Sequence, residues 1–481
     1  MKVVGSAASP PRGGALPNAH RRTAVSFALL LALVSAAPSA AAQHSISLAS
    51  ITHRDSLDNG MRVIVVENHS LPLATVDVVV KTGAMSQDST DEGVPHLFEH
   101  MLFTGYHGIV GEPFEFDAGN LDASFNGETS EELVSYWLSL PAKNVGSGIN
   151  LLAKMMRNAH FEREDMNKER LIVFDEMSRD VSDPRLHLLD DVSKRLWGTA
   201  WPQKDKLGSS FPLFAATPER LDQIFHEYYV PNNAALVVTG DVFAPKVMDW
   251  ARTSFGGWKR RPDPYLAHPV PAVPPLAKSI ATVLTGDVHN VRILIQWQGP
   301  SVRTERSDTY SADVLSQLVS DEESEFQKKL VESGLFQSAD LGYMTQAHVG
   351  PIEFDGVTTI DHLAAALTVL EAELTLMNNE AYFTPEQLAV AAKQRRAAQS
   401  FGLELGPALA FAYADSWATS GLDYTLTYGD SLAVRTPADL QHFVHKYFVG
   451  HPFVIGALVR PEDADNVREM LEEYLQMSEN R

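Results

Sequence analysis

Two hydrophobic periods run through the chain. Residues 61–68 (MRVIVVEN) and 74–83 (ATVDVVVKTG) are alternating or β-branched runs that predict strands. Residues 94–105, 144–158, 163–180 and 217–229 space their apolar side chains for helices. Strands and helices do not follow a strict βαβ order, and no G-x-G-x-x-G follows a strand. The pattern therefore predicts an α+β fold of mainly antiparallel sheets covered by helices.

The pattern also repeats. Thr217, Pro218, Leu221, His226, Tyr228 and Val230 recur as Thr436, Pro437, Leu440, His445, Tyr447 and Val449, at a constant offset of 219. Each copy is followed by a strand-like run (AALVVTGD, FVIGALVR) and then by a helical segment, 244–254 and 463–475. Two copies of one unit of about 200 residues are expected. The stretch between them is rich in Pro, which stiffens a linker. The expected division is a first unit at 43–258, a linker at 259–278 and a homologous second unit at 279–481. His226 and His445 stand beside aromatics in the repeated helix and are expected to be packing residues.

Composition narrows the function. A chain of 481 residues with 44% hydrophobic and 21% charged residues is globular and too long for one ordinary domain. A formal charge of −22 argues against nucleic acid or an anionic membrane as partner. The absence of Cys excludes disulfides, a thiol nucleophile and thiolate metal sites, leaving His and carboxylates as metal ligands. Residues 1–42 read as a secretory signal peptide: Arg21 and Arg22, the apolar run Ala24–Val34, then Ala40-Ala41-Ala42 before Gln43. Cleavage near Ala42/Gln43 would remove four basic residues and no acid, leaving −26. A Sec-type signal is preferred to twin-arginine export. The apolar run is too short to span a bilayer, and no second run of that kind follows. An exported protein without a membrane anchor is expected, in a bacterial periplasm.

The stretch VPHLFEHMLF raises a chemical question. His96 and His100 are four apart, so on a helix they share one face, and Glu99 projects near it. Two neutral imidazoles at that spacing can hold Zn²⁺, with a third ligand from elsewhere, and Glu99 could take a proton from a water at such a metal. The alternative is an amphipathic helix that buries Leu97, Phe98 and Met101 and turns its polar residues to solvent. The five-residue pattern leaves both open.

GVPHLFEHMLFTG resembles the inverted zinc motif of the pitrilysin/insulinase metallopeptidases, a family of duplicated α+β chains whose two units face each other across a chamber. The resemblance implies a third ligand, a Glu about 76 residues beyond the second His, with a supporting Glu seven residues before it. KERLIVFDEMSRD supplies Glu176 and Glu169 at those positions. It likewise implies that NGETSEELVSYW, from Asn126 to Tyr136 and beyond, lies on an edge strand to which a peptide substrate adds. On that basis His96, His100 and Glu176 are the expected ligands of one Zn²⁺, Glu99 the catalytic general base, Glu169 a support for the ligands and Asn126 a substrate contact.

The second unit departs from the family. At a local offset of 216, His96, Glu99 and His100 fall on Ala312, Leu315 and Ser316, so this copy is expected to be metal-free. Family members that work alone place an Arg and, seven residues later, a Tyr in the second unit to hold the substrate carbonyl. Here those positions are Val331 and Ser338, with Tyr343 nearby at the wrong spacing. The resemblance thus implies a zinc metalloendopeptidase acting on peptides or unfolded polypeptides. A homologous partner subunit, in a hetero-oligomer or a homodimer, would supply the missing pair. The rival reading is a weakly active or non-catalytic subunit that binds peptide or assists assembly. A different metal-dependent hydrolase is a third, which the segment at Asn126 disfavours.

Overall fold

The computed structural model describes residues 48–402 and 406–479, apart from residues 107, 109 and 110. The segment expected to be a signal peptide lies outside the described residues. Residues 47–481 cluster as one compact unit containing two sheets.

The first sheet is built from β1 (Thr52–Ser56), β2 (Arg62–Glu67), β3 (Leu73–Val80), β4 (Ser124–Thr129), β5 (Val134–Pro141) and β6 (Ala234–Gly240). Its order is β1-β2-β6-β3-β5-β4, antiparallel except for the parallel pair β2–β6, and β4 is an edge strand. The helices in this half of the chain include α1 (Val94–Thr104), α2 (Val145–Asn158), α3 (Arg163–Ser182), α4 (Pro184–Trp197), α5 (Pro218–Tyr228) and α6 (Ala244–Phe255). The helices expected in this half therefore form, with ends shifted by a residue or two.

The second sheet contains β7 (Ile280–Thr285), β8 (Val291–Gln298), β9 (Ser338–Tyr343), β10 (Pro351–Thr358) and β11 (Phe453–Val459), in the order β7-β11-β8-β10-β9. Here too one pair, β7–β11, is parallel and the rest antiparallel. Without β1, the first sheet has the same layout, strand for strand, so β9 is the counterpart of β4. The helices in this half of the chain include α7 (Arg306–Val319), α8 (Leu363–Leu376), α9 (Pro385–Gly402), α10 (Gly406–Ala418), α11 (Leu422–Ala433), α12 (Pro437–Tyr447) and α13 (Ala464–Glu479). Among the described residues no helix is long and apolar enough to cross a membrane.

Both faces of each sheet are covered, which explains the near-continuous apolar runs in β2, β3, β6 and β11. One face of the first sheet (Val63, Val65, Val76, Val78, Leu138, Leu236, Val238) packs with α1, α2, α5 and α6. The other face (Ile64, Val66, Val79, Ala235, Val237) packs against Leu409, Ala410, Tyr413 and Ala414 of α10, a helix from the second half of the chain. The second sheet receives the reciprocal contribution: Leu188, Val192 and Leu196 of α4 pack on Leu294, Val454 and Leu458. Each sheet thus borrows one helix from the other half.

Polar contacts reinforce that exchange. Ser193 of α4 donates to Gln296 at 3.0 Å, and Thr282 donates to Asp191 at 2.8 Å. The buried Glu132 carboxylate accepts from the Ala347 and His348 backbone N–H groups at 2.6 and 2.8 Å. Lys204 donates to the carbonyls of His348 and Val349 at 2.6 and 2.7 Å. Val349 sits at φ +24°, unusual for a β-branched residue and held there by this anchoring.

His226 and His445 are not packing residues: both are exposed. The buried side of α5 consists of Leu221, Ile224, Phe225 and Tyr228, and position 226 falls off that stripe. Its Nδ1 instead bonds the Asp222 carbonyl at 2.8 Å.

Candidate metal centre and edge strand

Helix α1 starts after Gly93, whose φ of +81° suits a residue without Cβ; a Cβ there would stand 2.5 Å from the Leu207 carbonyl. Just ahead of the helix, Asp91 is held by Arg220 of α5 at 3.2 Å. The apolar side of α1 (Leu97, Phe98, Met101, Leu102) is fully buried. With that stripe fixed in the core, His96, Glu99 and His100 are directed between α3 and β4 rather than into open solvent.

Helix α3 delivers the carboxylates. His96 Nε2 and His100 Nε2 lie 3.6 and 3.7 Å from the same oxygen, Glu176 Oε2. One ligand atom from each of the three residues lies within 4.8 Å of the others, and no other such group of His, Cys, Asp or Glu occurs among the described residues. These separations exceed a hydrogen bond and approach the roughly 3.3–3.4 Å between ligands placed about 2.0–2.1 Å from a tetrahedral ion. Glu169, two turns before Glu176, accepts from His100 Nδ1 at 3.2 Å and from Thr104 at 3.1 Å. A proton on His100 Nδ1 leaves Nε2 as the free lone pair, on the side of Glu176. Asp175 is exposed, about 100° round the helix from Glu176.

Burial separates the two imidazoles electrically. It lowers the His96 pKa to about 3, with the His100 and Lys206 charges adding to the effect, so this ring is neutral, as a ligand must be. Burial also pulls His100 down, but the Glu169 hydrogen bond and the Glu99 and Glu176 charges outweigh it and leave the pKa raised. The donor set of two imidazoles and a carboxylate suits Zn²⁺ and leaves room for a fourth ligand.

Glu99 is 7% exposed and wedged between α1 and β4. Burial raises its pKa to about 7, against the opposing effects of His100 and of a hydrogen bond from Thr129. Thr129 Oγ1 donates to Glu99 Oε2 at 3.0 Å. Thr129 and Gly127 escaped notice in the sequence because their bearing on Glu99 exists only across space.

Asn126 is on the edge strand β4, exposed, and paired in register with Trp137. Strand alternation puts its side chain on the opposite face from Gly127 and Thr129, so it does not join the His–Glu cluster. Tyr136 is fully buried and shares a 2.9 Å hydrogen bond with Tyr229.

In the second half, Ala312, Leu315 and Ser316 lie on α7. Where α1 and α3 meet at the His–Glu cluster, α7 and α9 meet through Asp313 and Arg395 at 2.8 Å, and Tyr428 of α11 also donates to Asp313 at 2.7 Å. Val331 is half-buried in a π-helical turn, Lys328–Glu332, and Ser338 is the exposed first residue of β9. Tyr343 donates to the Pro300 carbonyl at 2.9 Å.

The chain is a duplicated sheet-and-helix structure in which an H-x-x-E-H helix faces a paired-Glu helix. Residues 62–204 match the family model "Insulinase (Peptidase family M16)" and residues 215–395 match "Peptidase M16 inactive domain". The chain belongs to this insulinase, or M16, family. It is 24% identical over 213 residues to the uncharacterized zinc protease YmxG of Bacillus subtilis, covering 43% of this chain and 51% of that protein. It is 25% identical over 218 residues to a probable mitochondrial-processing peptidase subunit beta of Arabidopsis thaliana, covering 45% and 41%. The chain spans about half the length of the curated relatives it matches. Among solved structures it resembles a protease from Helicobacter pylori, with TM-score 0.72 and 20% identity over 85% of this chain and 99% of that one. The first half of the periplasmic protease PqqL from Escherichia coli has TM-score 0.72 and 17% identity over 90% and 97%.

Proposed function

We propose that this protein is an exported zinc metalloendopeptidase that hydrolyses peptides or unfolded polypeptides. The observation that carries this reading is the convergence of His96, His100 and Glu176 on one point, with the buried Glu99 beside it. His96 Nε2, His100 Nε2 and Glu176 Oε2 would hold the ion, and Glu169 would orient His100. When bound, Zn²⁺ supplies a Lewis acid that polarises the substrate carbonyl and makes water more acidic. Glu99 accepts the proton released as water adds to the carbonyl carbon. It then returns that proton to the amine nitrogen as the C–N bond breaks. A buried carboxylate beside the ligands is placed for both halves of that transfer. An extended peptide is expected to add along β4, with Asn126 as a contact.

Export to the periplasm is supported by the pattern of residues 1–42 and by the periplasmic PqqL among the structural neighbours. Val331 and Ser338 leave the substrate carbonyl without an Arg–Tyr pair from this chain. We therefore place a homologous partner subunit in the active assembly. In support, a relative is named as a subunit, and this chain matches only 50% of the complete PqqL chain. The same two residues favour the second reading, a peptide-binding or assembly subunit with little activity, but that role has no use for Glu99. Metal analysis, combined with digestion of a peptide library by the protein alone and with an Arg–Tyr-bearing subunit, separates the readings. Expected are one zinc per chain and cleavage that rises sharply with the partner. Robust turnover by the isolated chain would refute the partner requirement, and no cleavage in either arm would refute the peptidase reading.

A further inference from the structure

We propose that Thr129 and Gly127, neighbours on one face of edge strand β4, are positioning residues that aim the Glu99 carboxylate. This rests on the reading of Glu99 as the proton acceptor. Thr129 is buried, and its hydroxyl has one proton, donated to Glu99 Oε2 at 3.0 Å. That bond orients the carboxylate through Oε2, and Oε1 is its other acceptor oxygen. It lies directly over Gly127: a Cβ at that residue would stand 2.3 Å from Oε1, 2.8 Å from Cδ and 2.9 Å from Cγ of Glu99. The donor fixes one oxygen, and the missing side chain makes room for the other.

The location of these residues gives the arrangement a purpose beyond packing. Among the described strands β4 pairs only with β5, so its outer edge is open to an extended chain. A peptide added there would run about 4.8 Å from β4. The strand that sets the register of the substrate would then also set the base, and both would move together. The register of β4 against β5, with Gly127 opposite Tyr136 and Thr129 opposite Val134, ties this frame to the first core.

The test uses T129V, which keeps shape and removes the donor, T129S, which keeps the donor, and G127A. Because the atoms crowding a Gly127 Cβ belong to a side chain rather than to backbone, G127A should fold and turn Glu99 away. In the assembly that cleaves peptide, T129V and G127A should lower kcat about 10- to 100-fold, with KM and zinc content little changed. T129S should stay within about threefold of the parent protein. Crystal structures of the variants provide a readout independent of turnover: Glu99 should rotate in T129V and G127A and stay in place in T129S. Parental kcat in T129V, or equal loss in T129S and T129V, would overturn the proposal. If the parent protein cleaves nothing, the peptidase reading fails, and the crystal structures still decide: a Glu99 unmoved in T129V rejects positioning.

Discussion

Glu99 and Glu169 are carboxylates near His100 with different surroundings. Glu99 is buried with one hydrogen-bond donor and is held near pKa 7, whereas Glu169 accepts from both His100 and Thr104. The E99Q variant should therefore keep its zinc and lose about 10²–10⁴-fold in hydrolysis, as read by metal analysis beside a peptide assay. E169Q should retain Glu99 and all three ligand atoms but weaken zinc binding about 10–100-fold in a competitive chelator titration. Unchanged affinity would remove Glu169 from the support of the site. At this scale much was legible in the sequence, since the spacing of His96, Glu99 and His100 is a property of one helix. The distance from His100 to Glu176 was legible only through the family resemblance. Thr129 was not legible at all, because it lies thirty positions from Glu99 and meets it only when β4 crosses α1.

At the scale of elements, the duplicated units solve one packing problem in two ways. α1 and α3 of the first unit bring polar groups together around a prospective ion. The corresponding α7 and α9 are joined by Asp313 and Arg395, with Tyr428 as a second donor. This network needs no metal, so the second half should hold together in the presence of a chelator. Replacing Arg395 with Met would leave the buried Asp313 with Tyr428 alone. A loss of about 1–3 kcal/mol is expected in denaturant unfolding, below the full cost of breaking a buried pair because Arg395 is partly exposed. No change in the unfolding midpoint would show that the pair is incidental. Periodicity identifies α1, α3 and α5 but not α7 or α9, and His226 and His445 were misjudged as packing residues. A repeated position in a repeated helix marks shared ancestry or geometry, and only the buried stripe tells which side faces the core.

For the whole molecule, the exchange of α4 and α10 between the sheets is what closes the two halves on each other. One consequence is electrostatic. Asp77 of β3 lies between Thr75 and Val79 on the face covered by α10. Its Oδ1 accepts from Ser135 at 2.6 Å, and its buried Oδ2 has no hydrogen-bond partner among the described residues. Burial raises its pKa from 3.8 to about 7, and Asp415 of α10 is raised likewise, first by burial and then by Glu132, Glu128 and Glu131. An acid with a raised folded pKa binds its proton more tightly in the folded state. Its contribution is favourable at low pH and is lost as pH climbs from about 4 to about 7. Glu132 acts oppositely. Burial disfavours its charge, but His348, the Ala347 and His348 amides and Lys204 lower its pKa overall, so its contribution is lost as pH falls. D77N should accordingly flatten the loss of stability between pH 4 and 7 and raise stability at pH 8 by about 1–3 kcal/mol. A parallel, unshifted stability–pH curve would show that Asp77 carries no such penalty.

The sequence by itself determined several helical and strand segments, the repeated pattern, the lack of thiols and the His–Glu spacing within α1. These depend on residues close along the chain or on copies that can be laid side by side. Only the tertiary structure decided which sheet each helix covers, which face of β4 meets Glu99, and that a single carboxylate oxygen on α3 stands before both imidazoles. Those are relations between surfaces brought together by burial of apolar area, and no local period encodes where distant surfaces meet.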